Sequence, residues 1–397
     1  MNDSPQNSRE ALWARHHEQF RDPADLVAFW HGAGAIDPGL FECAVEGRWW
    51  ETLGRCGITL LVSREYEHLL LGMRADAEGG GAFTFMRLPH PSGIAVDGAR
   101  GTVHVACTRN PNQIYDLKPA RTLMPRLDSD AEAPAGAPLV PALVRFLPGC
   151  LYLHDLALVG GELHATSVGQ NSIVRIGPSG ACERVWWPRC IETSRGPVVG
   201  RNHLQLNSIA AGDSPAASFF SASADEVTAL RPGDPAFPVD GRGVIFSGVT
   251  REAMARGLTR PHSARLHGGK IWVDNSGYGE VGVVEGGAFV PVRRLPGWTR
   301  GLAFCGDVAF VGTSRVLPRF RAYAPGLDPD AARCGVHALD ARTGEALGAI
   351  VWPAGNQIFA LEWMPSAMSG GFPFTPGDEA SAARAAGLFY SFDLHTR

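Results

Sequence analysis

Lysine is nearly absent: of the 36 basic residues besides histidine, only Lys118 and Lys270 are lysines and the others are arginines. The formal net charge is −4 and no basic block is present, which excludes the electrostatic footprint of a nucleic-acid or anionic-membrane binder. No run approaches the roughly 20 apolar residues of a membrane span. The opening Met1-Asn-Asp-Ser-Pro5 also lacks the basic start and apolar stretch of a secretory signal. Eight cysteines, at 43, 56, 107, 150, 182, 190, 305 and 334, include no Cys-x-x-Cys pair, so they read as reduced thiols and not as zinc or redox motifs. A cytoplasmic protein is the expectation. Missing too are the Gly-x-Ser-x-Gly elbow, the Walker loop and His-Glu-x-x-His, and Gly79-Gly-Gly81 lacks the strand and helix that flank a nucleotide loop.

What the chain has in quantity is turn chemistry, with 48 glycines and 29 prolines, and a phrase that recurs six times. Its openings read His90-Pro-Ser-Gly-Ile-Ala-Val96, Leu153-His-Asp-Leu-Ala-Leu158, Leu206-Asn-Ser-Ile-Ala-Ala211, Pro261-His-Ser-Ala-Arg-Leu266, Thr299-Arg-Gly-Leu-Ala-Phe304 and Ile358-Phe-Ala-Leu-Glu-Trp363. Its closing strands include Phe83-Thr-Phe-Met-Arg-Leu-Pro89, Arg184-Val-Trp-Trp-Pro188 and Ala349-Ile-Val-Trp-Pro353. Between them lie two more short apolar runs around a polar turn, such as Lys270-Ile-Trp-Val-Asp274 and Val281-Gly-Val-Val284. Four strands per unit at a period of roughly 40 to 60 residues is the signature of a radial repeat fold. The expectation is an all-β, six-bladed β-propeller over residues 57–365. The first unit lacks an opening strand and the last opening strand, near 358–364, lacks a unit, so the C-terminal strand is expected to close the first blade and leave no sheet edge unpaired.

Before the ring, residues 1–56 read as a helical extension packed on it. Residues 8–20 are amphipathic, and Asp22-Pro23 and Asp37-Pro38 each set an N-cap acid before proline, which predicts helices over 23–32 and 38–53, the latter closed by Gly54. The tail, 366–397, predicts a short helix over 378–386 and an apolar Leu388-Phe-Tyr-Ser-Phe392 that suits packing on the ring or an oligomer interface.

His154-Asp-Leu-Ala, Leu206-Asn-Ser-Ile-Ala, Pro261-His-Ser-Ala-Arg-Leu-His-Gly-Gly-Lys-Ile-Trp-Val273, Asn275-Ser-Gly-Tyr-Gly-Glu-Val-Gly282 and Arg300-Gly-Leu-Ala-Phe304 resemble the signature blocks of the DUF4915-like proteins, an uncharacterised bacterial family. The resemblance runs in order through residues 57–365; it implies a propeller and supplies no activity. One block departs from the family pattern, His-Leu-Asn-Gly, for which this chain has Gln205-Leu-Asn-Ser208, with His203 two residues earlier.

In a propeller the innermost strand of each blade runs along the central channel. Aligning the six openings puts Ser92, His154, Asn207, His262, Arg300 and Phe359 at equivalent positions, with His90 and Gln205 two residues ahead of theirs. Imidazoles and amide oxygens converging from separate strands suit a divalent metal with open positions for substrate, so His154, Asn207, His262, His90 and Gln205 are the candidate ligands, for zinc, calcium, manganese, iron or copper. Asp155 would then orient His154. A histidine opening a strand also serves simply to bond its own blade; His104 and His164 within second strands, His267 at a Gly-Gly turn and His16 and His17 on the first helix are read as structural or solvated.

The loops between second and third strands lie on the same face. They offer Arg64, Tyr66 and Glu67, then Arg109, Asn110 and Asn112, then Asn171, then Asn275, Tyr278 and Glu280, and finally Arg315 and Arg319. Arginines there suit bidentate capture of a carboxylate or phosphate, so the partner expected is a small anionic or peptide-derived substrate. The reading is a metal-dependent enzyme of lactonase, lyase or cyclase type, with Glu280 or Glu67 as general base and Arg300 holding the anion. Two alternatives stand beside it: an iron- or copper-dependent oxidative enzyme at the same histidines, and a non-catalytic binding module.

Overall fold

Short apolar runs bounded by Gly, Pro and Asn fold here as four-stranded antiparallel sheets, each in simple up-and-down order. The computed structural model describes residues 36–109, 111–121, 123, 136–377 and 388. The helices expected over 8–20, 23–32 and 378–386, Asn110 and the run 389–392 lie outside the described residues.

Blade 1 is Ala360–Pro365, Ile58–Arg64, Leu69–Ala75 and Gly81–Arg87, from the channel outwards. Blade 2 is Pro91–Asp97, Thr102–Cys107, Asn112–Pro119 and Leu139–Leu147; blade 3 is Leu153–Val159, Glu162–Ser167, Ser172–Ile176 and Cys182–Trp186. Blade 4 is Leu206–Ala210, Phe219–Ala222, Gly243–Ser247 and Ala253–Leu258; blade 5 is Pro261–His267, Lys270–Asn275, Glu280–Glu285 and Ala288–Arg294. Blade 6 is Trp298–Cys305, Val308–Ser314, Cys334–Asp340 and Ala346–Trp352. Each innermost strand touches the innermost strands of both neighbours, so the six blades form a closed ring.

The residues leading into the ring differ from the single helix expected over 38–53. Asp37 caps only one turn, Pro38–Leu40, accepting from Gly39 N at 2.9 Å. The chain then extends as Ala44–Gly47, which pairs with Ala346–Trp352 as a fifth strand of blade 6, and α-helix forms only over Trp49–Cys56, ended at Gly57 and not at Gly54. The physical reason is the open edge of blade 6: its ladder groups have no neighbour within the blade, and four residues of extended chain satisfy them better than a helix would. The short helix then buries Trp49 and Leu53, with the Trp49 ring edge-on to Phe310 at 5.9 Å. Among the described residues no helix is long and apolar enough to cross a membrane.

Every seam between blades carries a hydrogen bond to an inner strand or to the residues that lead into it. Ser63 Oγ donates to Ser92 O (2.7 Å), Ser92 Oγ to Leu153 O (2.8 Å), and Ile209 N to Asp155 Oδ2 (3.0 Å). Asn207 Nδ2 donates to Pro261 O (2.9 Å), Gly301 N to Ser263 Oγ (2.8 Å), and Ser314 Oγ to Ile358 O (3.1 Å). The inner strands come close enough for these bonds because glycine stands where side chains would collide: a Cβ on Gly93 would lie 2.5 Å from Leu156 N.

Blade 6 buries His337, whose Nε2 lies 3.1 Å from Thr313 Oγ1. Burial, helped by Arg333 and Arg293, pushes this imidazole down to about 4. A depressed histidine contributes its full stability above the unfolded value and loses it as pH falls, because the unfolded chain takes the proton first. Wild type is therefore expected to lose stability relative to His337→Met by about 1.4 kcal/mol per pH unit between about 6.5 and about 4, about 3 kcal/mol in all. Chemical denaturation across that range checks this; parallel curves for the two proteins would contradict it.

Candidate functional site

The chain enters the channel mouth by the same sharp corner in four blades. His90, Tyr152, Gln205 and Arg260 each stand directly before an inner strand, with φ of 45°, 51°, 51° and 53°. Non-glycine residues seldom hold this left-handed geometry, and its repetition at one structural position marks the corner as a fixed feature of the mouth. His90 and Gln205 were legible from sequence; Tyr152 and Arg260 were missed, although they occupy the same offset from the strand.

His154, opening blade 3, packs edge-on to Phe359 of blade 1 with ring centroids 5.3 Å apart. Its Nε2 lies 3.5 Å from Gln205 Nε2, and the orientation of that amide is fixed by Asn202 Nδ2 donating to Gln205 Oε1 at 2.8 Å. An amide NH2 only donates, so His154 accepts at Nε2 and carries its proton at Nδ1, which is buried and has no protein partner. His262, opening blade 5, is buried and has the same tautomer for a different reason: Nδ1 lies 2.8 Å from the carbonyl of Arg260, which accepts only, leaving the lone pair on Nε2. Asn207 donates through Nδ2 to Pro261 O, so its amide is fixed as well, and its buried Oδ1 has no partner.

Three guanidinium groups share this space. Arg300 of blade 6 is buried with Cζ 3.5 Å above the Phe359 ring. The Gln357 amide, in the orientation that satisfies both neighbours, accepts from Arg300 Nη1 at 3.0 Å and donates to Glu65 Oε2 at 3.3 Å. Arg260 is buried, donates to Pro232 O and lies 3.8 Å over Tyr323, which arrives on the long loop of blade 6. Arg109 Nη2 stands 3.8 Å from Glu65 Oε1. Burial draws both Arg300 and Arg260 down to about 10, Arg300 being partly restored by Glu65 and Arg260 by Tyr323; both stay charged at neutral pH.

Burial and those charges together set the state of the histidines. Burial first, then Arg300, Arg109 and Arg260, hold His154 well below the usual imidazole range. Burial, Arg300 and His154 do the same to His262, against a small opposing effect of its bond to Arg260 O. Tyr66, at the rim beneath Arg319, is pushed up to about 12 by burial and Glu65. The mouth thus holds neutral imidazoles inside an excess of positive charge, with Glu65 as the carboxylate facing it.

Other sequence candidates are occupied elsewhere. Arg64 and Glu67 pair with each other at 2.9 Å, Arg64 also donating to Leu40 O and Glu67 accepting from Asn356 N, so neither is free as an anion clamp or general base. Asn112 spans Gly149 O and Tyr152 N; Asn171 spans Val198 O, Arg201 O, His203 N and Leu204 N. Asn275 joins Thr259 N to Glu280, and Arg315 caps the carbonyls of Pro353 and Gly355. Tyr278 donates to Asp240 at 3.0 Å. These polar residues close turns. Asp155 does not orient His154: it takes Ile209 N and a bidentate pair from Arg265, at 2.8 and 3.2 Å.

A divalent metal does not fit the donors present. His90 packs edge-on to His68 with centroids 4.3 Å apart and faces Glu65 at 3.8 Å, on the blade 2 side of the mouth. Gln205 Oε1 accepts from Asn202 Nδ2 and His154 Nε2 faces Gln205 Nε2, so neither is open to a metal, and among the described residues no three of His, Cys, Asp and Glu come together as a metal-binding group. The charges that, after burial, depress His154 would also oppose a cation beside it.

A family described as "Domain of unknown function (DUF4915)" matches residues 47–371. No curated protein matches in sequence. Among solved structures, a chain of a nidogen/laminin complex aligns over 78% of this chain and 99% of its own at 9% identity with a TM-score of 0.52, a likeness of fold. A protein of unknown function from Bacteroides caccae aligns over 77% of this chain and 98% of its own, at 10% identity with a TM-score of 0.45. A gluconolactonase from Xanthomonas campestris aligns over 75% and 86%, at 14% identity with a TM-score of 0.44.

Proposed function

The chain belongs to the DUF4915 family, and from its own geometry we propose that it is an enzyme of lactonase or lyase type that binds a small carboxylate-bearing molecule at the channel mouth and moves protons on it. The observation that carries this reading is the meeting of guanidinium groups with imidazoles: Arg300 lies over the Phe359 ring that His154 meets edge-on, Arg260 presents its carbonyl to His262, and burial together with the nearby charges holds both imidazoles below their usual range. Arg300 anchors the carboxylate, its planar donors preorganised by Gln357 and the Phe359 ring. His262, with its proton held at Nδ1, offers Nε2 as general base; His154 offers Nδ1–H to a carbonyl or leaving oxygen as negative charge develops there. An imidazole that is neutral at working pH is already in the state a base requires.

Turnover of a panel of small lactones and hydroxy acids, in the presence of EDTA, tests the chemistry. In His262→Gln, kcat is expected to fall by about 100-fold or more while the affinity for product carboxylate changes by less than about tenfold. Full turnover in that variant would remove His262 from the reaction. Binding without any turnover in wild type would favour a binding module at the same mouth.

A further inference from the structure

Given a carboxylate site at the channel mouth, the unsatisfied atoms there describe more than an anion. The Nε–H groups of Arg109, Arg260 and Arg300 and the Nδ1–H of His154 are buried donors without a protein partner. Against them stand two acceptors of fixed orientation. Asn207 Oδ1 belongs to a side chain only 2% exposed and is unpartnered, because the Nδ2 on the same amide is committed to Pro261 O. His262 Nε2 keeps its lone pair because Nδ1 faces the Arg260 carbonyl at 2.8 Å. A bare carboxylate satisfies the donors but gives the acceptors nothing, and a buried acceptor left unmatched costs about 1–3 kcal/mol.

The matching ligand group must therefore donate a hydrogen bond while standing beside the carboxylate. An ammonium donates, but it would sit in the field of three guanidinium charges with Glu65 already turned to Thr108 Oγ1 (2.7 Å) and towards Arg109. A hydroxyl donates without adding charge. We propose that the channel mouth selects small 2- or 3-hydroxy carboxylates, the carboxylate on Arg300 and its neighbours and the hydroxyl donating to Asn207 Oδ1 or His262 Nε2. Where the hydroxyl donates to His262 Nε2, its proton points at the atom assigned as general base, and that contact gives both selection and activation.

Calorimetric titration of the EDTA-dialysed full chain with two matched sets, propionate, lactate and alanine, then succinate, malate and aspartate, isolates the hydroxyl because members differ only in H, OH or NH3+ at one carbon. In at least one set the hydroxy acid is expected to bind about tenfold or more tighter than its deoxy partner, with the amino acid weaker than the hydroxy acid. In one of the two variants Asn207→Leu and His262→Leu, the one whose acceptor takes the hydroxyl proton, that preference is expected to shrink to within about threefold with the deoxy acid still bound, a pattern that misfolding would not give, and a preference kept in both variants overturns hydroxyl selection at these atoms. Equal binding of hydroxy and deoxy acids, or preference for the amino acid, overturns hydroxyl selection and leaves the carboxylate site standing. Failure of all six to bind overturns both.

Discussion

Replacing Arg300 with Gln is expected to weaken small-carboxylate binding at the channel mouth by about 10- to 100-fold, the worth of a charge-assisted hydrogen bond made by a buried guanidinium. The side chain is 5% exposed, lies 3.5 Å above Phe359 and keeps its charge although burial draws it down to about 10. Gln keeps some hydrogen bonding and loses the charge and the fork. Arg300→Lys restores the charge without the fork and should fall between, since an ammonium cannot pair bidentately. The same substitution removes a charge that depresses both His154 and His262, so their imidazole titrations, followed by NMR, are expected to move up in Arg300→Gln. A purely architectural arginine would lower the melting temperature and leave the ligand affinity where it was.

The second large effect belongs to the ring. Asp155→Ala is expected to destabilise the fold by about 3–5 kcal/mol, because it strips the partner from a buried cation and does not merely delete a contact. Asp155 on blade 3 takes Ile209 N of blade 4 and both terminal nitrogens of Arg265 on blade 5, so one carboxylate joins three blades at the channel wall. Its side chain is 6% exposed and that of Arg265 16%, too enclosed for water to replace the bond. Asp155→Asn, which can still accept from Ile209 N, should cost less. A loss under about 1 kcal/mol for the alanine variant, in denaturant titrations, would show that Arg265 finds another partner.

Asp155 also shows why part of the site was illegible and part was misread. Its place beside His154 in the sequence suggested a carboxylate orienting an imidazole, yet neighbours on a strand point to opposite faces, so Asp155 reaches sideways to Ile209 and Arg265 while His154 faces Phe359 and Gln205. The blades were readable because Gly, Pro and Asn punctuate short apolar runs at a steady interval, and aligning them put His154, Asn207, His262, Arg300 and Phe359 at equivalent positions, of which His154 and Arg300 both meet Phe359. Loop side chains were not readable. Asn112 and Asn171 have the chemistry of ligand-binding amides, but the turn leading to the next inner strand exposes backbone groups that the same chemistry satisfies. Three histidines, His90, His154 and His262, likewise suggested a metal, while the charge that opposes a cation beside His154 comes from Arg109, Arg260 and Arg300, on three different blades.

The helix expected over 38–53 fails for a similar cause. Its capping signal, Asp37 before Pro38, is real and caps one turn, but the unpaired edge of Ala346–Trp352 draws Ala44–Gly47 into a sheet. Local propensity lost to a long-range ladder.

The channel mouth is most directly tested by calorimetric titration of a small carboxylate into wild type and Arg300→Gln, each dialysed against EDTA and then repeated with added divalent metal. The expected result is one site per chain in wild type, the same affinity with and without metal, and a loss of about 10-fold or more in Arg300→Gln. Binding that appears only when metal is added, or that survives unchanged without the Arg300 guanidinium, would contradict an anion site built from arginines and neutral histidines.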